Sequence, residues 1–131
     1  MQLVRFRIDL APRCSLGPGK IALLEAIAER GSLTQAAATL GMSYRYAWLL
    51  LEDLKHSFTA PVTRATIGGR GGGGVELTKF GAELVRRYVK ARHRIDVVAR
   101  SAFAPLVKKV STRASRPAPD KKRARSIKRA A

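Results

Sequence analysis

From Val4 to Leu10 apolar and polar residues alternate. Val4, Phe6, Ile8 and Leu10 share one face and Leu3, Arg5, Arg7 and Asp9 the other, the period of two that a half-buried strand requires. Pro12 and the turn Leu16-Gly17-Pro18-Gly19 end that strand. From Pro18 to Arg30 the apolar positions Ile21, Leu24 and Ala28, with Leu23 and Ile27 beside them, take helical spacing. Pro18 suits a first turn and Gly31 supplies the stop.

Ser32-Leu33-Thr34-Gln35 is a capping box, so a second, short helix runs from Leu33 to Leu40 through Ala36, Ala37 and Ala38. Gly41 breaks it, Met42 fills the corner, and Ser43 caps a third helix that continues to about Ser57. Two helices this close need a small residue where they touch and a residue tolerant of positive φ at the turn. Ala37 and Gly41 meet those needs, and Leu33, Ala36, Leu40, Met42, Ala47, Leu50, Leu51 and Leu54 lock one helix on the other. The spacing predicts a helix-turn-helix, with a plain αα-hairpin of a helical bundle as the simpler alternative.

Pro61–Ile67 is rich in β-branched residues, and Val75-Glu76-Leu77 can pair with it across a loop, Gly68 to Gly74, that holds six of the chain's eleven glycines. A hairpin directly after a recognition-type helix is a wing, for which the N-terminal strand is the expected third partner. The glycine loop lacks the Lys-Ser/Thr pair and the strand-loop-helix setting of a nucleotide-binding loop. Arg70 is its one bulky side chain. Thr78 caps a last helix that Pro105 closes. Along it Gly81, Leu84, Tyr88, Ala91, Ile95, Val98 and Ala102 step by 3 and 4 in alternation, a heptad repeat long enough to pair with a second copy. Its first half is expected to pack locally and the remainder to pair between copies.

Charge adds a partner to this picture. The 131 residues carry 26 Lys and Arg against 9 Asp and Glu, a net charge of +17. Such a potential attracts polyanions, nucleic acid first. It is unevenly spread: residues 1–103 hold a balance of +8 and residues 104–131 a balance of +9. The stretch from Ser111 on has two prolines and one lone Ile127, too little apolar surface to offset the entropy of ordering. We therefore expect a winged domain over 1–106 and a disordered basic tail over 107–131 that adds phosphate contacts.

Other classes find little support. Cys14 is the one cysteine, so neither an internal disulfide nor a cysteine metal site is expected. No apolar run approaches the ~18 residues of a membrane span, and the alternating N-terminus is unlike a signal peptide. His56 and His93 stand alone on helices and no paired carboxylates suggest a catalytic pocket. The expectation is a cytoplasmic, nucleoid-associated binding protein that is not an enzyme and has no cofactor, metal or membrane partner.

The motifs resemble the N-terminal DNA-binding domain of the ModE family of molybdate-responsive regulators, itself similar to LysR-type winged helix-turn-helix domains. The resemblance covers roughly Leu16 to Tyr88. It is carried by Ile21–Ile27, Gly31–Ala37, Gly41-Met42-Ser43-Tyr44-Arg45 with Ala47-Trp48, and the Gly68–Gly74 wing followed by Leu77-Thr78 and Gly81. Leu49 departs from it, an apolar residue where such domains more often show a polar one. The resemblance implies a mainly α fold with a small β-sheet, a winged helix-turn-helix with a long C-terminal dimerisation helix, and sequence-specific binding of double-stranded DNA by a homodimer. ModE proteins carry molybdate-binding domains after the winged helix; here the chain passes into the basic tail, so no molybdate-binding domain is expected in this chain.

With the third helix in the major groove, Ser43, Tyr44 and Arg45 lie nearest the base edges. Arg45 suits a guanine edge, Tyr44 a phosphate or thymine methyl, and Trp48 either the core or the sugar–phosphate wall. Thr34, Gln35, Arg64 and Arg70 are candidates for phosphate contacts. Dimerisation is expected through Leu84, Tyr88, Ala91, Ile95, Val98 and Ala102. Two further readings keep the fold: an architectural DNA protein with weak sequence preference, or the DNA-binding half of a regulator whose sensor is a separate chain.

Overall fold

In a computed structural model of the protein, residues 4–67 and 73–115 are described. The elements run β1 (Ile8–Ala11), β2 (Cys14–Leu16), α1 (Pro18–Arg30), α2 (Leu33–Leu40), α3 (Tyr44–Ser57), β3 (Thr63–Thr66), β4 (Gly74–Leu77) and α4 (Lys79–Val107), followed by a 3-10 turn at Thr112–Ser115. The chain divides into two compact units, Met1–Ala99 and Arg100–Ala131.

The three expected helix starts are made by the expected side chains. Ser32 Oγ accepts from Gln35 N at 3.0 Å and Ser43 Oγ from Tyr46 N at 3.1 Å. Thr78 Oγ1 accepts from Gly81 N at 3.0 Å and donates to Pro61 O at 2.6 Å, tying the start of α4 to the segment that leads into β3. Only the hydroxyl half of the Ser32 capping box forms, and the Gln35 side chain stays exposed. At the stops, Gly31 and Gly41 take φ of 73° and 66°, the left-handed region in which a Cβ is strained.

Around α1 the first unit buries two adjoining apolar clusters. Leu23, Ala26 and Ile27 meet Ala36, Ala37, Ala47 and Leu51, which is the helix-turn-helix contact. Ile21 and Leu24 meet Leu16, Leu54, Val62, Leu84 and Tyr88, which docks α4 and the hairpins. The small side chains of Ala36, Ala37 and Ala47 are almost fully buried and allow the helices their close approach. Fold class is as expected: a mainly α winged helix with a long C-terminal helix.

Four expectations are corrected. First, there is no three-stranded sheet among the described residues: β1 pairs with β2, and β3 with β4, as two antiparallel hairpins. The turn at Pro12-Arg13 folds Cys14–Leu16 straight back on Ile8–Ala11. So short a loop closes at small entropic cost, and it satisfies β1 before the distant wing can. Second, the strand starts only at Ile8, and Ile8 and Leu10, placed by alternation on the buried face, are 40% and 53% exposed; Phe6 alone of that face packs against the core cluster. Third, α4 passes through Pro105 to Val107: proline in the last turn forgoes a single bond, to the carbonyl four residues upstream, and only two helical residues follow it. Fourth, Leu84 and Tyr88 are spent on the domain's own core, at 8% and 4% exposure.

Burial raises the Tyr88 phenol above its usual pKa, with the nearby Arg92 and Arg5 guanidinium groups opposing. Lys20 spans the seam between β2 and α3: its Nζ donates to Ser15 O at 2.9 Å and pairs with Asp53.

In the second unit the closing residues of α4 lead into backbone bonds from Lys109 N to Leu106 O and Val110 N to Val107 O. Phe103, Leu106, Val107 and Val110 are all exposed there. The remainder of the expected tail, from residue 116 on, lies outside the described residues.

Candidate nucleic-acid interface

Where α3 begins decides what it can present. Ser43 is extended (φ −66°, ψ 152°) and caps the helix, so Tyr44 and Arg45 occupy the first turn with the unpaired N–H groups that end leaves. Ala47, Leu51 and Leu54 turn inward. The residues that fall between them on the helical period, Tyr44, Arg45 and Trp48, face out and line one shallow depression of about 260 Å³. Trp48 is 43% exposed, which places its indole on the surface beside Arg45 instead of in the core.

Next to this depression runs a second one of about 300 Å³ between α3 and the wing. Its walls are Tyr44, Trp48 and Lys55 of α3, Thr63 and Arg64 of β3, Gly74 and Val75 of β4, and Leu33 of α2. The structure thus brings Tyr44, Trp48 and Arg64 together. It adds Lys55, which the sequence reading missed although positions 44, 48, 51 and 55 follow one helical stripe. Lys55 is held by Glu52 at 3.3 Å, and His56 stands 3.7 Å from the same carboxylate.

The wing is built to hold Arg64. β3 and β4 pair Thr63 with Leu77, Arg64 with Glu76, Ala65 with Val75 and Thr66 with Gly74. Arg64 Nε donates to Glu76 across the strands, which fixes the guanidinium and leaves its two terminal nitrogens for another acceptor. Val75 N donates to the carbonyl of Gly31, the C-cap of α1, at 3.0 Å. A Cβ at Gly74 would lie 2.6 Å from that same oxygen and 2.5 Å from Thr66 Oγ1. Glycine is required there for close approach.

Thr34 and Gln35 are exposed on the first turn of α2 but do not line either depression; their neighbour Leu33 does. Arg70 lies outside the described residues. Of the expected dimer stripe, Ala91 is half-buried, Ile95 is 38% exposed, and Val98 and Ala102 are exposed. Beside it an apolar groove of about 270 Å³ is lined by Phe6, Ile8, Leu10, Leu16, Leu84, Tyr88 and Ala91, with Arg87 at its edge.

The likenesses to known proteins fall on the same segment. Residues 19–82, from α1 to the start of α4, match the family described as bacterial regulatory helix-turn-helix protein, lysR family. The chain is 37% identical over 103 residues to the molybdenum transport protein ModE of Herbaspirillum seropedicae, covering 72% of this chain and 38% of that one. Residues 19–82 form a LysR-type, ModE-like helix-turn-helix domain. The molybdenum-pterin-binding protein MopA of Rhodobacter capsulatus is 41% identical over 75 residues (57% of this chain, 28% of that one). The DNA-binding transcriptional dual regulator ModE of Escherichia coli K12 is 37% identical over 81 residues (62% and 31%). The chain spans about a third of the length of these ModE-type relatives. Among the described residues no group of three or more His, Cys, Asp or Glu side chains is placed to hold a metal ion, and no helix is long and apolar enough to cross a membrane.

Proposed function

We propose that this chain is a DNA-binding transcriptional regulator that reads duplex DNA as a homodimer, with α3 in the major groove and the β3–β4 wing against the backbone or minor groove. The observation that carries the reading is the exposed cluster of Tyr44, Arg45 and Trp48 on the first turns of α3, beside a wing that fixes Arg64. The capped start of the helix puts its positive dipole end where those side chains lie, the end that faces the bases in this class of fold. Arg45 donates two bonds to a guanine edge, a pairing worth about 1–3 kcal/mol of discrimination. Tyr44 reaches a phosphate or a thymine methyl, and the Trp48 ring lies on the sugar–phosphate wall. Thr34, Gln35, Lys55, Arg64 and Arg70 set register on phosphates.

The homodimer forms along Ala91, Ile95, Val98 and Ala102 of α4, and Ile8 and Leu10 join it through the apolar groove that Ala91 also lines. The protein works in the cytoplasm at the nucleoid, without cofactor and without a catalytic step. A selection of bound fragments from a random duplex library tests the whole reading. The expected result is two inverted half-sites spaced by about one helical turn, ~10 base pairs, or a multiple of it. Recovery of no common sequence, with specific and random DNA bound alike, would point instead to an architectural DNA protein.

A further inference from the structure

The solvent face of α4 is absorbed by neither the core nor the dimer stripe. Lys79, Arg86, Lys90 and Arg94 fall at i, i+7, i+11 and i+15, which a period of 3.6 brings to one side of the helix. All four are exposed, and among the described residues none makes an ion pair. The one carboxylate on this side, Glu83, is already matched by Arg87 at 2.8 Å. Glu83, Arg86, Arg87 and Lys90 line a shallow depression of about 330 Å³. Its uncompensated charges are therefore the two cations Arg86 and Lys90. The face opens where the wing ends: β4 closes at Leu77, Thr78 caps the helix, and Lys79 is its first residue.

We propose that Lys79, Arg86, Lys90 and Arg94 form a second phosphate track, continuous with the wing, that holds duplex DNA flanking the stretch read by α3. The inference rests on the DNA-binding reading above and adds a contact that reading does not contain. Successive steps of four residues space the cations by about 6 Å along the axis, and one strand presents a phosphate every ~3.4 Å of helix axis. Arg86, Lys90 and Arg94 thus face about four phosphates. An acidic protein segment would need carboxylates at that repeat, whereas any duplex supplies its charges regardless of sequence. The track adds affinity and salt dependence, not sequence choice.

The test compares the intact chain with the variant Arg86→Gln, Lys90→Gln, Arg94→Gln, by fluorescence anisotropy over a salt series. One random-sequence duplex has about one helical turn and the other about three, ~10 and ~30 base pairs. Helicity by circular dichroism should match between the proteins, because the three side chains are exposed. On the long duplex the salt slope should fall by about 2 to 3 in the variant, near 0.9 for each phosphate that is no longer neutralised, while binding to the short duplex is unchanged. An unaltered slope on the long duplex overturns the track and leaves the α3 reading standing. Equal losses on both duplexes also overturn it, by moving these cations inside the α3 footprint. If the unmodified chain binds neither duplex, the DNA reading itself fails and the track with it.

Discussion

The phenol of Tyr88 on α4 donates to the carbonyl oxygen of Phe6 at 2.6 Å, and the two rings lie face to face, 4.4 Å between centroids and 6° from parallel. One side chain from the long helix thereby pins the N-terminal segment by both a hydrogen bond and a stack. Tyr88→Phe keeps the stack and loses the bond. It should cost about 1 kcal/mol in urea unfolding at pH 7. The phenol's pKa is raised in the folded state, so below its ordinary value near 10 the group is neutral, folded or unfolded. As pH climbs above about 10, the unfolded phenol ionises first and stability falls until the folded one also ionises. Tyr88→Phe should flatten that alkaline decline; an identical decline in both proteins would separate it from Tyr88.

A Cβ added at Gly81 would sit 2.1 Å from the carbonyl oxygen of Val62, whereas one at Gly19 meets nothing within 4 Å. Both glycines are in helices, so helix propensity alone favours alanine at each. Gly81→Ala should nonetheless lose about 2–3 kcal/mol through overpacking against backbone, a drop in Tm on the order of 10 °C. Gly19→Ala should gain about 0.5 kcal/mol. Differential scanning calorimetry of the pair reads both signs.

Arg45→Ala removes the proposed base-edge contact and an exposed side chain. Affinity for a selected site should fall roughly tenfold or more, about 1–3 kcal/mol, with a far smaller change on random duplex at the same salt. Equal losses on both would make Arg45 a phosphate contact.

Ile95→Glu with Val98→Glu charges the expected seam at positions where neither side chain is buried in its own domain. Sedimentation should move from dimer to monomer while the unfolding midpoint extrapolated to low protein concentration stays put. A monomer in the unmodified protein, free and DNA-bound, would remove the seam.

Truncation after Ser111 takes away most of the charge concentrated at residues 104–131. Affinity should fall on every sequence alike and the salt dependence should become shallower. Helix content should change little.

The helices were legible because their ends are written in local chemistry. Ser32, Ser43 and Thr78 act within three residues of themselves, and Gly31 and Gly41 act through their own φ. The outward placing of Tyr44 and Arg45 followed from the same period that buried Ala47, Leu51 and Leu54, whereas Trp48, which the sequence left between core and surface, was decided by the structure. What the pattern did not disclose is pairing between segments. Cys14-Ser15-Leu16 is too short to announce a strand, yet it takes the partner expected of the wing. A heptad stripe looks uniform along its length, but Leu84 and Tyr88 meet α1, β2 and Val62 whereas Ile95 and Val98 meet water. Lys55 entered the interface only when the wing folded back beside α3.

The bond from Val75 N to the carbonyl of Gly31 ties the direction of the wing to the first helix. Where the hairpin points is decided beside its loop, at the Ala65–Val75 and Thr66–Gly74 pairs, by the end of a core helix. Loop length and composition can therefore drift, or be engineered, without re-aiming Arg64. A substitution at Gly31 or Gly74 would swing the whole hairpin, because one sets the helix end it rests on and the other the space between them.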